Sequence, residues 1–432
     1  MRRLPLLLAA ASSLALAACG GAALPPQATY GPNPTLVAPK KALFPTLGIP
    51  KAIGWKDGSK PVAAPGLDVT AFAAGLDHPR QILLLTNGDV LVAESRTEGG
   101  KPQGLRDWIM QKVQKRSGAL GKSANRITLL RDADGDGAAE TRTVLVAGLN
   151  QPFGMAVIGD QLYVGNADGV VRYPFTVGQT RIEATPTKLI STPTGGHWTR
   201  SLLPSVDGSK LYVGVGSLSN VPKKDGWDAE KDRAAVWELD LKTGAKRIFA
   251  SGLRNPNSPV WEPASKAMWV VVNERDELGD DLVPDYMTSV KDGGFYGWPW
   301  SYYGGHVDAR VTPQNPAMVA RAAAPDYALG AHTASLGLHF YTGEALGAGY
   351  NGGAFVGQHG SWNRTPVSGY KVIFVPFAGG RPAGMPKDVL TGFLSSDNKV
   401  LGRPAGVAQD RTGALLVADD VGNVVWRVAA AR

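Results

Sequence analysis

The chain has 432 residues, enough for one large domain or two ordinary ones. Its 54 glycines and 31 prolines are too many for a helical bundle and point to a turn-rich, all-β body. The formal charge is +8, but its lysines and arginines are scattered, which argues against a nucleic-acid partner because phosphate binding needs clustered cations.

The chain opens with Arg2 and Arg3, an apolar run from Leu4 to Leu16, and then Leu16-Ala17-Ala18-Cys19. A basic start, an apolar segment too short to span a bilayer and a small-residue end mark a secretory signal. The last four residues resemble the bacterial lipobox, whose cysteine becomes the lipidated first residue of the mature chain. Cys19 is the only cysteine, so no disulfide, thiolate nucleophile or Cys-ligated metal competes for it. The resemblance implies removal of residues 1–18 and a lipid anchor on Cys19. It also implies a bacterial cell-envelope location, at the outer membrane facing the periplasm. Residues 19–65, as in GAALPPQATYGPNP, are rich in Pro, Ala and Gly and are expected to be a tether. The folded domain is expected over residues 66–432.

From Leu67 onward, β-rich runs alternate with turns, as in NGDVLVAES, DGSKLYVGVGS and TGALLVADDVGNVVWRV. Asn-Gly, Asp-Gly and Thr-Gly pairs between apolar runs predict hairpins. A second motif recurs on the connections: AGLDHP at 74–79, AGLNQP at 147–152 and SGLRNP at 251–256, with a degenerate LGRP at 401–404. Hairpin units repeated along the whole chain predict a β-propeller rather than two β-sandwiches. At roughly 50 to 65 residues per unit, six or seven blades fit. GLRDWIMQKVQKRSG, at 104–118, has Leu105, Trp108, Ile109 and Val113 at helical spacing, and predicts a short helix inserted in the first blade. Its apolar stripe is expected to pack on the propeller body.

RDADGDGAAE places Asp132, Asp134 and Asp136 before Gly137, the first half of a calcium loop. Thr143 stands where such a loop needs a bidentate Glu, so a hairpin turn is expected, with a structural calcium left open. The repeated connections carry stronger signals. In a propeller they converge on one end of the central channel, bringing His78, Gln151, Arg254 and Asn255 to related positions. The segment NERDELGDDLVPD holds Glu274, Asp276, Glu277, Asp280, Asp281 and Asp285, a density of hard oxygens that suits calcium, although a solvated acidic loop explains it equally well. DGGFYGWPW would form a rigid wall. Arg254, Arg275, Arg364 and Arg403 sit on separate connections and, if they converge, would bind a polyanion. TGGHWTRSL sets His197 behind two glycines. No Cys-x-x-Cys-His is present for covalent haem, and no Gly-x-Gly-x-x-Gly follows a strand for nicotinamide binding.

The order Gln151, His197, GLRNP, an acidic segment, YGWP and a late arginine resembles the soluble pyrroloquinoline-quinone (PQQ)-dependent sugar dehydrogenases, over roughly residues 66 to 430. GHWTR and HGSWNR are similar to the sorbosone or aldose sugar dehydrogenase branch. The resemblance implies an all-β, six-bladed β-propeller binding the quinone and a calcium ion over its channel. It implies that His197 is the general base and that Arg254 and Asn255 lie near the reactive carbonyl. Gln151, Arg275, Arg364 and Arg403 would contact the cofactor, and the backbone carbonyls of Asp276 and Glu277 would hold calcium. Arg364 is ambiguous with Asn363 by one residue. His332 is expected near the same pocket without an assigned role. The substrate would be an aldose or sugar-derived aldehyde, with electrons leaving to an external acceptor. Two other readings stay open: a calcium-dependent lactonase-type hydrolase, and a non-catalytic lipoprotein propeller that binds glycan or protein.

Overall fold

The computed structural model describes residues 23–40, 49–56, 58–102, 104–223 and 226–431. Cys19 and the expected signal lie outside the described residues.

Six four-stranded antiparallel units form a closed ring. The first blade runs Pro79–Leu84, Val90–Glu94, Arg126–Arg131 and Thr141–Ala147, from the centre outward. The innermost strands of the next five are Met155–Ile158, Leu202–Pro204, Pro256–Trp261, Ser335–Phe340 and Pro404–Gln409. The ring closes where Leu67–Ala74, from the start of the domain, pairs antiparallel with Val424–Ala430 as the outermost strand of the sixth blade. That pairing ties the two chain ends of the domain together and removes two exposed sheet edges.

The repeated Gly-Leu motif is the blade-to-blade crossing. Each copy follows an outermost strand (Leu67–Ala74, Thr141–Ala147, Lys246–Ser251) and leads into the innermost strand of the next blade. Its glycines have φ of +71°, +73° and +76° at Gly75, Gly148 and Gly252, a left-handed turn that a side chain resists. Its leucines, Leu76, Leu149 and Leu253, are buried in the apolar layers between blades. The chain therefore returns to the same end of the channel at every crossing. At that end, β-bulges interrupt the first residues of four inner strands, at Pro79–Gln81, Asn257–Val260, Ser335–Gly337 and Pro404–Val407. Bulges re-aim side chains, and these open the mouth of the channel.

Parts of the expected tether lie on the propeller. Tyr30–Gly31 adds a strand to the fourth blade and Val62–Ala63 adds one to the fifth. Trp55 packs edge-on against Phe393 and Trp426 and donates to Asp419 at 2.7 Å. The inserted helix forms over Leu105–Arg116, as its periodicity predicts. Its stripe does not simply pack on the body. Trp108 and Ile109 are 49% and 40% exposed, and only the last turns face the propeller. No helix among the described residues is long and apolar enough to cross a membrane.

Candidate active site

The crossings and bulges surround a cavity of about 300 Å³ at the channel mouth, at the small end of the range for ligand pockets. The insertion roofs it with Val113, Gln114, Ser117 and Ala119, and the blades supply a polar floor.

His197 lines the cavity. Its Nδ1 lies 2.8 Å from the Ser217 carbonyl oxygen, a contact that fixes the proton on Nδ1 and leaves Nε2 as the lone-pair nitrogen. The loop before it is clamped from both sides. Arg200, fully buried, donates to the carbonyls of Pro193, His197 and Thr199 and to the Thr192 hydroxyl. Arg233 donates to the carbonyls of Thr194 and Gly195. The glycine pair is required by space as well as by φ: a Cβ on Gly196, at φ +60°, would lie 2.4 Å from the Leu218 carbonyl oxygen. Burial, reinforced by the neighbouring Arg254 guanidinium, pushes the His197 imidazole down to about 3. It is neutral at neutral pH.

Arg254 and Arg403 are the two guanidiniums on the wall. Arg254 is held by the carbonyls of Asn273 and Glu274 and faces the Asp276 carboxylate at 3.5 Å. Arg403 is 3% exposed and makes no ion pair among the described residues. It donates to the Tyr370 hydroxyl at 3.0 Å and makes contacts of 3.3 to 3.5 Å with His359 and Gly360, while its Nε has no partner. A buried, unpaired guanidinium on a cavity wall calls for an anion in the cavity.

Asp276 faces the cavity with its carboxylate, which contacts His332 at 3.3 Å and accepts from Asn363 at 2.7 Å. Burial raises this acid, but His332 and Arg254 outweigh it and hold it down to about 2. The same contact raises His332 against the effect of its burial. Its neighbour Asp285, whose carboxylate accepts the backbone N–H groups of Glu274 and Ala334, is pushed up to about 6 by burial.

Sequence reasoning missed the opposite wall. His359 lines the cavity, and its Nε2 lies 2.7 Å from Asp420. Asp420 also pairs with Arg80 and, at 3.3 Å, with His78. Burial pushes His359 and His78 down to about 4 and about 3, with Asp420 opposing in both. His359 stands in the HGSWNR segment that pointed to Arg364, so the signal was present on the same connection, at the head of the segment whose last residue was used.

Other expected site residues lie elsewhere. Gln151 turns away and donates to the Arg96 carbonyl at 2.9 Å. Asn255 sits beneath the wall, donating to Asn273 at 3.2 Å, with its Oδ1 buried and unpartnered. Arg275 is fully buried, paired with Glu274 and Asp308, and donates to the carbonyls of Pro299 and Ser301. It anchors the YGWP wall rather than lining the cavity. Arg364 pairs with Asp281 and the Asp280 carbonyl; Asn363, its neighbour, is on the cavity wall. Glu277 is exposed.

The calcium expectation meets an obstacle. The Asp276 carbonyl already accepts from Asn220 at 3.0 Å and from the Arg310 guanidinium at 2.8 Å. Its carboxylate is flanked by Arg254 and by His332. The Asp276 oxygens are thus already engaged, and a dication bound there would have to displace these partners and sit beside the Arg254 and Arg310 guanidiniums. Among the described residues, the acidic group whose oxygens lie within 4.8 Å of one another is Asp132, Asp134, Asp136 and Glu140, in an exterior hairpin turn. Its carboxylates accept backbone N–H groups within that turn, as expected of turn chemistry.

Similar folds occur in solved structures. A Trichoderma reesei protein of Carbohydrate-Active Enzymes Family AA12 is 19% identical, with 89% of this chain and 99% of that one covered and a TM-score of 0.69. The holo form of the pyranose dehydrogenase PQQ domain from Coprinopsis cinerea is 20% identical, covering 87% and 98%, with a TM-score of 0.68. The PQQ-bound aldose sugar dehydrogenase from Streptomyces coelicolor is 16% identical, covering 86% and 100%, with a TM-score of 0.55. At these identities the likeness is one of fold. An uncharacterized protein of Borreliella burgdorferi is 34% identical over 233 residues, a match spanning 51% of this chain and 57% of that protein. The TrAA12-like family model matches residues 61–284 and 308–431, most of the propeller, and the chain belongs to that family.

Proposed function

We propose that the protein is a quinoprotein dehydrogenase that oxidises an aldose sugar or a sugar-derived aldehyde of the sorbosone type, using PQQ. The observation that carries this reading is Arg403, buried on the cavity wall with no acidic partner among the described residues. A quinone bearing several carboxylates supplies the missing anion. Arg254 and Arg403, on different connections, would grip it from two sides, and Asn363 and His332 would complete the polar contacts. Bound there, the quinone would supply an electrophilic carbon that accepts hydride.

The chain's own task is to take the proton of the substrate hydroxyl and to hold the reacting groups. His197 is the first candidate, with Nδ1 fixed by Ser217 and Nε2 able to accept. His359 is a second, favoured by Asp420, whose carboxylate would stabilise the imidazolium once formed. Gln114 and Val113 in the roof exclude water from the same space. The lipidated Cys19, the outer-membrane location facing the periplasm and an external electron acceptor belong to the same proposal.

A lactonase-type hydrolase would need carboxylates gathered around a metal, and the acids facing this cavity are paired with cations or backbone N–H groups instead. The deciding experiment mixes purified protein with PQQ and assays dye reduction with aldoses and sugar aldehydes. Turnover lost in His197→Ala but kept in His359→Asn assigns the base to His197; the reverse assigns it to His359. Binding without turnover of any sugar or aldehyde would favour a non-catalytic binding protein.

A further inference from the structure

The helix that roofs the cavity has a second side. Val113, Gln114 and Ser117 look inward at the site, while Trp108, Lys112 and Lys115 line a separate hollow of about 590 Å³ on the outside, together with Gln111, Lys122 and Glu98. Lys112 lies 5.3 Å over the exposed Trp108 ring. Lys112, Lys115, Arg116 and Lys122 make no ion pair among the described residues, although the protein elsewhere pairs Lys60, Lys210, Lys371 and Lys399 with carboxylates. The one acid of the hollow, Glu98, accepts the Ser123 backbone N–H at 3.0 Å. Among the described residues the face is thus a cationic surface without ion pairs, around an exposed tryptophan and over the cavity.

We infer that this outer face of the Leu105–Arg116 helix is the docking surface for an acidic electron-carrier protein. The inference rests on the quinoprotein reading. Oxidation of one hydroxyl to a carbonyl releases two electrons and two protons. The sequence has no haem-attachment motif, and Cys19 is its only cysteine. On this reading the electrons leave to a carrier that is itself reduced, two one-electron carriers per substrate, while the protons pass to water. The roof is one helix thick, roughly 10–12 Å with its side chains, so its outer face is a short path from the cavity to solvent. Unpaired cations steer an anionic partner to that spot and set its orientation. An exposed tryptophan in a hollow is the kind of anchor on which such interfaces concentrate their energy.

The test uses the full chain and two probes with the same haem and opposite charge, native cytochrome c, which is basic, and succinylated cytochrome c, which is acidic. Calorimetry on the protein without quinone should show binding of the succinylated form alone, weakening as salt is added. The variant K112E/K115E/K122E should bind it at least about tenfold more weakly, with the milder K112Q/K115Q/K122Q in between. After reconstitution with PQQ, both variants should reduce a small neutral dye at the wild-type rate while reducing the succinylated cytochrome more slowly. Equal binding of the two cytochromes, or undiminished binding by the variants, overturns the docking face. So does charge-dependent binding to vesicles of anionic lipid without binding to the cytochrome, which would make the face a membrane contact. Absence of dye reduction by the reconstituted wild type overturns the quinone reading and the electron-carrier assignment together. Intact dye reduction with no charge-dependent binding overturns the docking face alone.

Discussion

Arg200 donates to the backbone carbonyl of His197 at 2.8 Å, so a fully buried guanidinium holds the loop that presents the imidazole to the cavity. With Arg233 gripping Thr194 and Gly195, two arginine side chains hold the chain from Thr194 to Thr199, alongside the backbone bond from the His197 N–H to the Ser217 carbonyl. That arrangement leaves no room at Gly196, where an added Cβ would meet the Leu218 carbonyl oxygen at 2.4 Å. Gly196→Ala should therefore displace His197 while leaving the propeller folded. The expected result is a loss of about 1–3 kcal/mol in stability and a turnover at least about tenfold lower if His197 is the base, with quinone affinity nearly unchanged. Urea unfolding, calorimetry and dye-reduction kinetics check the three parts.

Arg403→Leu separates a binding role from a structural one. It replaces a buried, unpaired charge by an apolar side chain, so the protein without quinone should hold or gain melting temperature. Quinone affinity should fall by roughly 2–5 kcal/mol, which is about thirtyfold or more. Equal affinity for variant and wild type, by calorimetry, would remove Arg403 from the site.

Arg275→Leu should behave in the opposite way. It strands the buried carboxylate of Glu274, leaves Asp308 to Arg310 alone, and frees the carbonyls of Pro299 and Ser301. A loss of about 3–5 kcal/mol in unfolding free energy is expected, read by urea titration.

The contrast between these two arginines shows what was legible in the sequence. Four guanidiniums on separate connections were visible, and so was the reason for them. Which of them face a ligand depends on where acids fall in three dimensions: Asp308 claims Arg275 and Asp281 claims Arg364, while no carboxylate among the described residues pairs with the Arg403 guanidinium. The propeller was legible because Gly75, Gly148 and Gly252 mark the same left-handed turn at each crossing and Leu76, Leu149 and Leu253 the same buried contact. His359 was not, because its significance comes from Asp420, 61 residues away on the next blade. The roof helix was placed correctly along the chain, but its exposed Trp108 could be read only once the other face was seen to cover the cavity.

Acid should destabilise the fold. His78, His197 and His359 have folded-state values of about 3, about 3 and about 4, below the ordinary 6.5. The unfolded chain then binds more protons than the folded one as pH falls below about 6.5, so stability is lost in that direction. Asp285 and Asp419, raised to about 6, act oppositely between about 6 and 3.8, but their shifts are smaller. Unfolding free energy measured in urea should drop from pH 7 to pH 5, and His78→Gln should shallow that slope. A flat or rising profile would contradict the assignment of neutral buried imidazoles.

Calcium added to the protein without quinone should find no site at Asp276, because Arg254, Arg310 and His332 surround its oxygens. Any calorimetric signal should survive Asp276→Asn. A signal abolished by that substitution would show that the cavity accepts a dication.

The central claim is that the cavity binds a polyanionic quinone and uses it to oxidise a sugar or sugar aldehyde. Its most direct test is calorimetric titration of the purified full chain with PQQ, in wild type and in Arg403→Leu, followed by dye reduction with aldoses and sugar aldehydes. The account predicts one quinone per chain, bound about thirtyfold or more tightly by the wild type than by the variant, and sugar-dependent dye reduction by the complex. Absence of quinone binding to the folded wild-type protein would contradict it.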